Sequence, residues 1–166
     1  MKPKPLHTGD MEVALARFFN YRVYTIVPNV SYGFGLNHEC DLLLLDKKLR
    51  LTEVEIKISR SDLRADFKKT HGHRSRYISR LIYAVTEDIL DTALEIVPKE
   101  NGIVVVKQRQ IGNPETGHVV NRCEWVRQCQ HDKTKQPITE SRALELTRLG
   151  CMRIWSLKEK NNRRHG

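Results

Sequence analysis

Helical and extended segments alternate along this chain of 166 residues, and the alternation predicts a mixed α/β fold. Two observations support it. Strand-sized runs of apolar and β-branched residues recur, and amphipathic segments that open with helix-capping residues lie between them. Hydrophobic residues make up 39% of the chain, enough for a packed core. We therefore expect a single domain over residues 1–166, since this length is ordinary for one domain.

The first third of the chain predicts one helix followed by three strands. Residues 8–10 offer an N-cap for a helix whose apolar stripe runs to about Asn20. The predicted strands are Tyr21 to Val27, His38 to Asp46 and Leu49 to Ile58. Pro28 is expected to end the first strand, because proline cannot donate a ladder hydrogen bond. The short polar turn at Lys47 and Lys48 indicates an antiparallel hairpin.

The middle of the chain predicts further helices and strands in alternation. Ser59 or Ser61 caps a short helix that runs to about Lys69, and residues 70–76 form a polar loop. The elements that follow are a strand from Arg80 to Val85, a helix from Glu87 to Ile96 and a strand from Gly102 to Lys107.

The last third, residues 108–166, is more polar. Residues 108–136 predict at most a hairpin. Pro137 opens a final helix with a regular apolar stripe, and Gly150 is expected to interrupt it. A basic tail ends the chain.

The net charge of +9 is concentrated in two short segments. Residues 60–80 hold seven basic and two acidic side chains, and residues 153–166 hold five and one. Localised positive charge of this kind attracts a polyanion such as DNA or RNA. No apolar run approaches the roughly 20 residues of a membrane helix, and no signal peptide is evident. We therefore expect a cytoplasmic protein without a membrane partner.

Three ionisable side chains share one face of the third predicted strand. Glu53, Glu55 and Lys57 alternate with apolar and β-branched residues, and alternate residues of a strand project to the same side. One alternative is a solvated strand face whose charges form cross-strand ion pairs. The other is a site at which carboxylates converge on a cation.

The length of the turn before this strand decides whether a further carboxylate joins it. A three-residue turn over 47–49 places Asp41 opposite Glu55 in the hairpin, whereas a two-residue turn places it opposite Val54. The sequence permits both registers.

With the first register, Asp41, Glu55 and the Ile56 carbonyl form an all-oxygen ligand set suited to Mg²⁺ or Mn²⁺. A bound metal acidifies water, which can then attack phosphorus. Lys57 on the same face would orient that nucleophile or stabilise the charge on the phosphate. Glu12 in the first helix is a candidate for an additional catalytic carboxylate.

Asp41 with Glu55-Ile56-Lys57 resembles the metal-binding signature of the PD-(D/E)XK nuclease superfamily. The longer run from Glu53 to Lys68 resembles the MmcB-like family of DNA repair nucleases, in which Glu-x-Lys precedes a Ser-x-x-Asp segment. The resemblance covers about residues 8–107. It implies a restriction-endonuclease-like fold with a mixed sheet of four to five strands flanked by helices. It also implies that Asp41 and Glu55 are metal ligands and that Lys57 is the catalytic lysine.

These features together predict a metal-dependent DNA nuclease that hydrolyses phosphodiester bonds and acts in DNA repair. The alternative is a non-catalytic nucleic-acid-binding module on the same fold; a homodimer is compatible with either. The basic and histidine side chains that follow the signature are the expected phosphate contacts, although surface histidines are often inert. They are Arg60, Arg64, Lys68, Lys69, His71, His73, Arg74 and Arg76.

Overall fold

A computed structural model describes residues 5–31, 33–68, 75–112 and 117–165. Its helices are α1 (Thr8–Phe18), α2 (Arg60–Asp66), α3 (Leu90–Ile96, preceded by a 3₁₀ turn over Glu87–Ile89) and α4 (Glu140–His165). Its strands are β1 (Thr25–Val30), β2 (Cys40–Leu45), β3 (Leu51–Lys57), β4 (Ile78–Thr86), β5 (Gly102–Ile111) and β6 (His118–Arg127). The predicted α/β fold class is confirmed.

All six strands form one mixed sheet in chain order, β1 to β6. β1, β2 and β3 are antiparallel neighbours, β3, β4 and β5 run parallel, and β6 returns antiparallel to β5. The expectation of four to five strands was wrong because the polar segment after β5 folds as a full hairpin arm. β6 lies at the edge of the sheet and is largely exposed, so it lacks the apolar pattern of an inner strand.

The first strand also differs from its prediction. β1 spans Thr25–Val30, and Pro28 lies within it, paired with Leu42. The prediction that Pro28 ends the strand was wrong because β1 is an edge strand. One side of an edge strand has no neighbour, so a residue without an N–H removes no ladder hydrogen bond there.

The hairpin of β2 and β3 has the register that brings two acidic residues together. Leu42 pairs with Val54, which requires the three-residue turn over 47–49. Continuing this register by one pair sets Asp41 opposite Glu55. The ladder itself ends before that pair, and the two strands begin to separate there.

Helices cover both faces of the sheet. On one face, α1 packs its buried side chains Met11, Ala14 and Leu15 on the even-numbered residues of β2 and β3. On the other face, α2 and α3 cover β4 and β5, and α4 covers β1 and β2. The two apolar clusters on this second face are separate, because β3 presents polar side chains between them. Those side chains are Glu53, Glu55 and Lys57.

α4 is continuous from Glu140 to His165, so the predicted interruption at Gly150 was wrong. A Cβ atom at Gly150 would lie 3.3 Å from Cγ2 of Val27 on β1. This glycine therefore permits close approach of the helix to the sheet, and the packing outweighs its low helix propensity.

We expect the Gly150→Phe substitution to lower the free energy of unfolding by about 2 kcal/mol, because it overpacks the contact between α4 and β1. The neighbouring Cys151→Phe substitution introduces the same side chain at an exposed position and serves as the control. Urea denaturation of the two variants measures the difference. Equal stabilities would contradict the packing role of Gly150.

Candidate metal and nucleic-acid site

The polar face of β3 is buried rather than solvated. Glu53, Glu55 and Lys57 are 0%, 3% and 4% exposed, respectively. Their alternation along the strand directs all three into the gap between α2 and α4, as their spacing predicts. Burying charges is costly unless they are paired, so their partners determine what this arrangement can do.

Lys57 lies between two acidic side chains. Its Nζ is 2.8 Å from Oε2 of Glu55 and 3.4 Å from Oδ1 of Asp66 at the end of α2. The hydroxyl of Tyr83 donates a hydrogen bond of 3.2 Å to the second oxygen of Asp66. Although burial lowers the pKa of Lys57, the neighbouring Glu55 and Asp66 outweigh it and hold that pKa above its usual range. The ammonium group is therefore charged and fixed in position.

α2 positions Asp66 by a local sequence signal. The side chain of Ser59 accepts a hydrogen bond from the backbone N–H of Asp62, so the helix begins directly after β3. Two turns later Asp66 faces inward and is 5% exposed. The N-cap was predicted, but the contact between Asp66 and Lys57 depends on how α2 packs on the sheet.

Asp41 lies where β2 and β3 separate. Its Oδ2 accepts a hydrogen bond of 2.7 Å from the backbone N–H of Ile56. The N–H and C=O of one residue in an extended strand point to the same side, so the Ile56 carbonyl also faces β2. Burial raises the pKa of Asp41, an effect that the Ile56 hydrogen bond and the charge of Lys57 partly offset.

Glu55 is a strongly perturbed carboxylate of the group. Burial raises its pKa to about 7; Lys57 lowers it, whereas Asp41 and Glu53 raise it. Its Oε1 atom is buried and accepts no hydrogen bond from any residue that the structure describes. A buried carboxylate oxygen without a donor is destabilising, and a bound cation would relieve that cost.

His38 was missed by sequence analysis, which treated it only as the start of a strand. Its Nε2 bonds to Oε1 of Glu53, and its Nδ1 lies 2.9 Å from Oδ1 of Asn37. The loop before β2 folds over the sheet and places the imidazole beside β3. Its position three residues before Asp41 was the only sequence signal.

Glu12 lies on α1 and is half-buried. Burial raises its pKa, as does the nearby charge of Asp41, whereas a hydrogen bond with Asn29 lowers it. The charge of Asp41 therefore acts on Glu12, although α1 and β2 belong to different layers.

Three of the predicted nucleic-acid contacts form a basic face, two of them on α2 and the third, Lys68, in the turn that follows it. Arg60, Arg64 and Lys68 are spaced by four residues, and all three are exposed. Arg76 is also exposed, but it stacks on the ring of Tyr77 at 4.7 Å, before the start of β4 and away from Lys57. The predicted contacts at Lys69, His71, His73 and Arg74 lie outside the described residues.

Comparisons with known proteins give one structural match and one family. The fold is similar to a solved structure of a protein of unknown function from Silicibacter pomeroyi, with a TM-score of 0.60 and 17% identity. That match covers 100% of this chain and 97% of the other and shows the fold alone. No curated protein matches the sequence significantly. Among the described helices, none has the length and apolarity to cross a membrane.

The family model of the DNA repair protein MmcB-like family matches residues 9–157. This match extends past the region of about 8–107 over which the resemblance was expected, and it includes β6 and most of α4. The chain therefore belongs to the MmcB-like family of DNA repair proteins.

Proposed function

We propose that this protein is a metal-dependent DNA nuclease that hydrolyses phosphodiester bonds on a restriction-endonuclease-like, PD-(D/E)XK-type fold. One observation carries the proposal: the charged ammonium of Lys57 is buried between Glu55 and Asp66 on the strand face that Asp41 adjoins. Burying a lysine among carboxylates costs stability, and perturbed charge clusters of this kind are typical of catalytic sites. Membership of a DNA repair family supports DNA as the substrate.

Asp41, Glu55 and the Ile56 carbonyl would hold Mg²⁺ or Mn²⁺ in this proposal. The residues fit a hard divalent cation because all three donors are oxygen atoms. Oε1 of buried Glu55 accepts no hydrogen bond from a described residue, and burial disfavours the ionised form of both carboxylates, a cost that a bound cation would offset. Such a metal supplies an acidified water and neutralises charge on the phosphate.

The remaining residues position charge around the scissile phosphate. Lys57 donates hydrogen bonds to the attacking water or to a phosphate oxygen, and its fixed ammonium stabilises the charge that develops there. Asp66 is a positioning residue, because it holds Nζ of Lys57 and is itself held by Tyr83. Glu12, which is coupled to Asp41, would be the additional carboxylate at the edge of the site.

The basic face formed by α2 and the turn after it would bind the phosphate backbone beside the site. We expect the double substitution Arg64→Ala and Lys68→Ala to weaken DNA binding and to reduce the slope of log K against log salt by about 0.9 per lost phosphate contact. The matched control is Lys47→Ala with Lys48→Ala, two exposed charges at the opposite end of β3. Fluorescence anisotropy across a salt series measures both variants. An equal loss in the control would contradict a localised interface.

Cleavage assays with Mg²⁺ on linear, nicked, branched and single-stranded DNA test the activity. We expect cleavage that requires the divalent cation and stops in chelator. DNA binding without cleavage of any substrate, and without metal dependence, would instead indicate a non-catalytic binding module on the same fold. Competition between DNA and RNA at fixed salt identifies the preferred nucleic acid.

A further inference from the structure

A second cluster of ligand atoms adjoins the proposed magnesium position. One atom each from His38, Glu53 and Glu55 lies within 4.8 Å of the others. The cluster shares only Glu55 with the set of Asp41, Glu55 and the Ile56 carbonyl. It lies where the loop before β2, which carries His38, folds over β3.

The carboxylate of Glu55 has two oxygens in different surroundings. Oε2 accepts a hydrogen bond of 2.8 Å from Lys57. Oε1 lies 4.0 Å from Nε2 of His38 and accepts no hydrogen bond from any described residue. The side chain is 96% buried, so bulk water does not compensate this oxygen. A buried carboxylate oxygen of this kind, directed at an imidazole nitrogen and a second carboxylate, fits a position for a cation.

His38 is oriented as metal-binding histidines usually are. Oδ1 of Asn37 can only accept, so Nδ1 of His38 donates the hydrogen bond of 2.9 Å between them. Nε2 forms the hydrogen bond with Oε1 of Glu53 and lies 4.0 Å from Oε1 of Glu55, so a cation bound here would take the place of the proton between Nε2 and Glu53. A ligating histidine commonly holds its second ring nitrogen on an oxygen acceptor in this way, which fixes the ring and its tautomer. The His38 side chain is 22% exposed, which leaves a path for an ion from solvent.

The donor set determines which cations fit. Mg²⁺ prefers oxygen ligands in near-octahedral geometry and keeps its waters, whereas imidazole suits Mn²⁺, Fe²⁺, Co²⁺ and Zn²⁺ better. We propose that His38, Glu53 and Glu55 form a second divalent-cation position that prefers a transition metal to Mg²⁺. Glu55 would bridge this position and the one at Asp41, as carboxylates do in two-metal sites. Any part of this second metal in cleavage rests on the proposed nuclease function, but the binding itself does not.

Electron spin-echo spectroscopy of Mn²⁺ bound to the full chain without a histidine tag tests the proposal. We expect a ¹⁴N coupling from imidazole in the unsubstituted protein. The coupling should vanish in His38→Gln and persist in Asp41→Asn. It should also persist in His118→Gln, which removes an exposed histidine of β6 and is the matched control. In Glu53→Gln, which keeps the histidine and the side-chain volume, Mn²⁺ affinity should fall by about 10- to 100-fold.

Three results would overturn the second position: no Mn²⁺ binding, binding without a ¹⁴N coupling, or a coupling that survives in His38→Gln. If His38→Gln does not fold, the loss of affinity in Glu53→Gln decides, and an unchanged affinity overturns the proposal. Failure of the nuclease proposal gives a different result from failure of the second metal position. In that case the ¹⁴N coupling is present, but no DNA substrate is cleaved with Mg²⁺ or Mn²⁺.

Discussion

Asp41→Asn should lower Mg²⁺-dependent DNA cleavage by about 10³-fold, because a metal ligand contributes several kcal/mol of transition-state stabilisation. Asparagine keeps the size of the side chain, and its carbonyl oxygen can still accept the hydrogen bond from the backbone N–H of Ile56. The fold of the hairpin and the basic face formed by α2 and the turn after it should therefore be retained. The substitution removes one negative charge next to the phosphate-binding surface, so DNA affinity should stay equal or rise slightly.

Single-turnover cleavage at saturating enzyme measures this effect without interference from product release. Asp91→Asn, an exposed position on α3, is the control and should cleave at the unsubstituted rate. Lys57→Ala, tested beside it, should lose activity to a similar extent, with circular dichroism as a check on folding. Activity that survives unchanged in both Asp41→Asn and Lys57→Ala would refute the assignment of the site.

Glu55→Gln should stabilise the metal-free protein by about 2 kcal/mol at neutral pH, although it should remove activity. Burial raises the pKa of Glu55 in the folded state from an ordinary 4.5 to about 7. Between these two pH values the folded protein binds the proton more tightly than the unfolded chain does. Stability of the unsubstituted protein therefore falls as pH rises through this window, and the loss is complete above the folded pKa. Glutamine cannot ionise and escapes this loss.

Urea denaturation in chelator at about pH 5 and about pH 7.5 measures the effect, because these two values lie near opposite ends of the pH range over which Glu55 loses its proton. The unsubstituted protein should be less stable at the higher pH, and the difference should be much smaller in Glu55→Gln. Adding Mg²⁺ should restore stability to the unsubstituted protein and not to the variant, because the cation compensates the buried charge. Glu95→Gln on the exposed face of α3 is the control. A metal-free protein that is equally stable at both pH values would contradict the account of Glu55.

The inner elements of the fold were predictable because their signals are local. The β2–β3 hairpin follows from strand alternation around a polar turn, and the N-cap at Ser59 marks the start of α2. The errors arose where the position in the sheet overrides local propensity. Pro28 is tolerated in β1 because no strand pairs on its outer side. Gly150 stays helical because Val27 lies against it.

In the candidate site, too, local sequence patterns predict one part and tertiary packing determines the other. The common face of Glu53, Glu55 and Lys57 follows from strand periodicity, which sequence reports directly. The contacts of this face with Asp66 and His38 do not follow from it, because α2 lies between β3 and Asp66 along the chain and β2 lies between His38 and β3. Their placement depends on how α2 and the segment before β2 pack on the sheet, and single-sequence patterns carry no measure of that packing.

Part of the localised positive charge lies on α2 in the structure. The excess over residues 60–80 begins as a stripe on the exposed face of α2, directly after the strand that ends at Lys57. The inner side of the same helix supplies Asp66 to the site. One short helix thus combines a surface suited to phosphates with a residue that positions the lysine, which links the proposed binding and catalytic functions.

A crystal structure of the protein grown with Mn²⁺ tests the central claim most directly, because anomalous scattering locates the metal without reference to activity. We expect an anomalous peak at about 2.0–2.3 Å from carboxylate oxygens of Asp41 and Glu55 and from the carbonyl oxygen of Ile56. Mn²⁺ bound elsewhere on the chain, with no peak between Asp41 and Glu55, would contradict it.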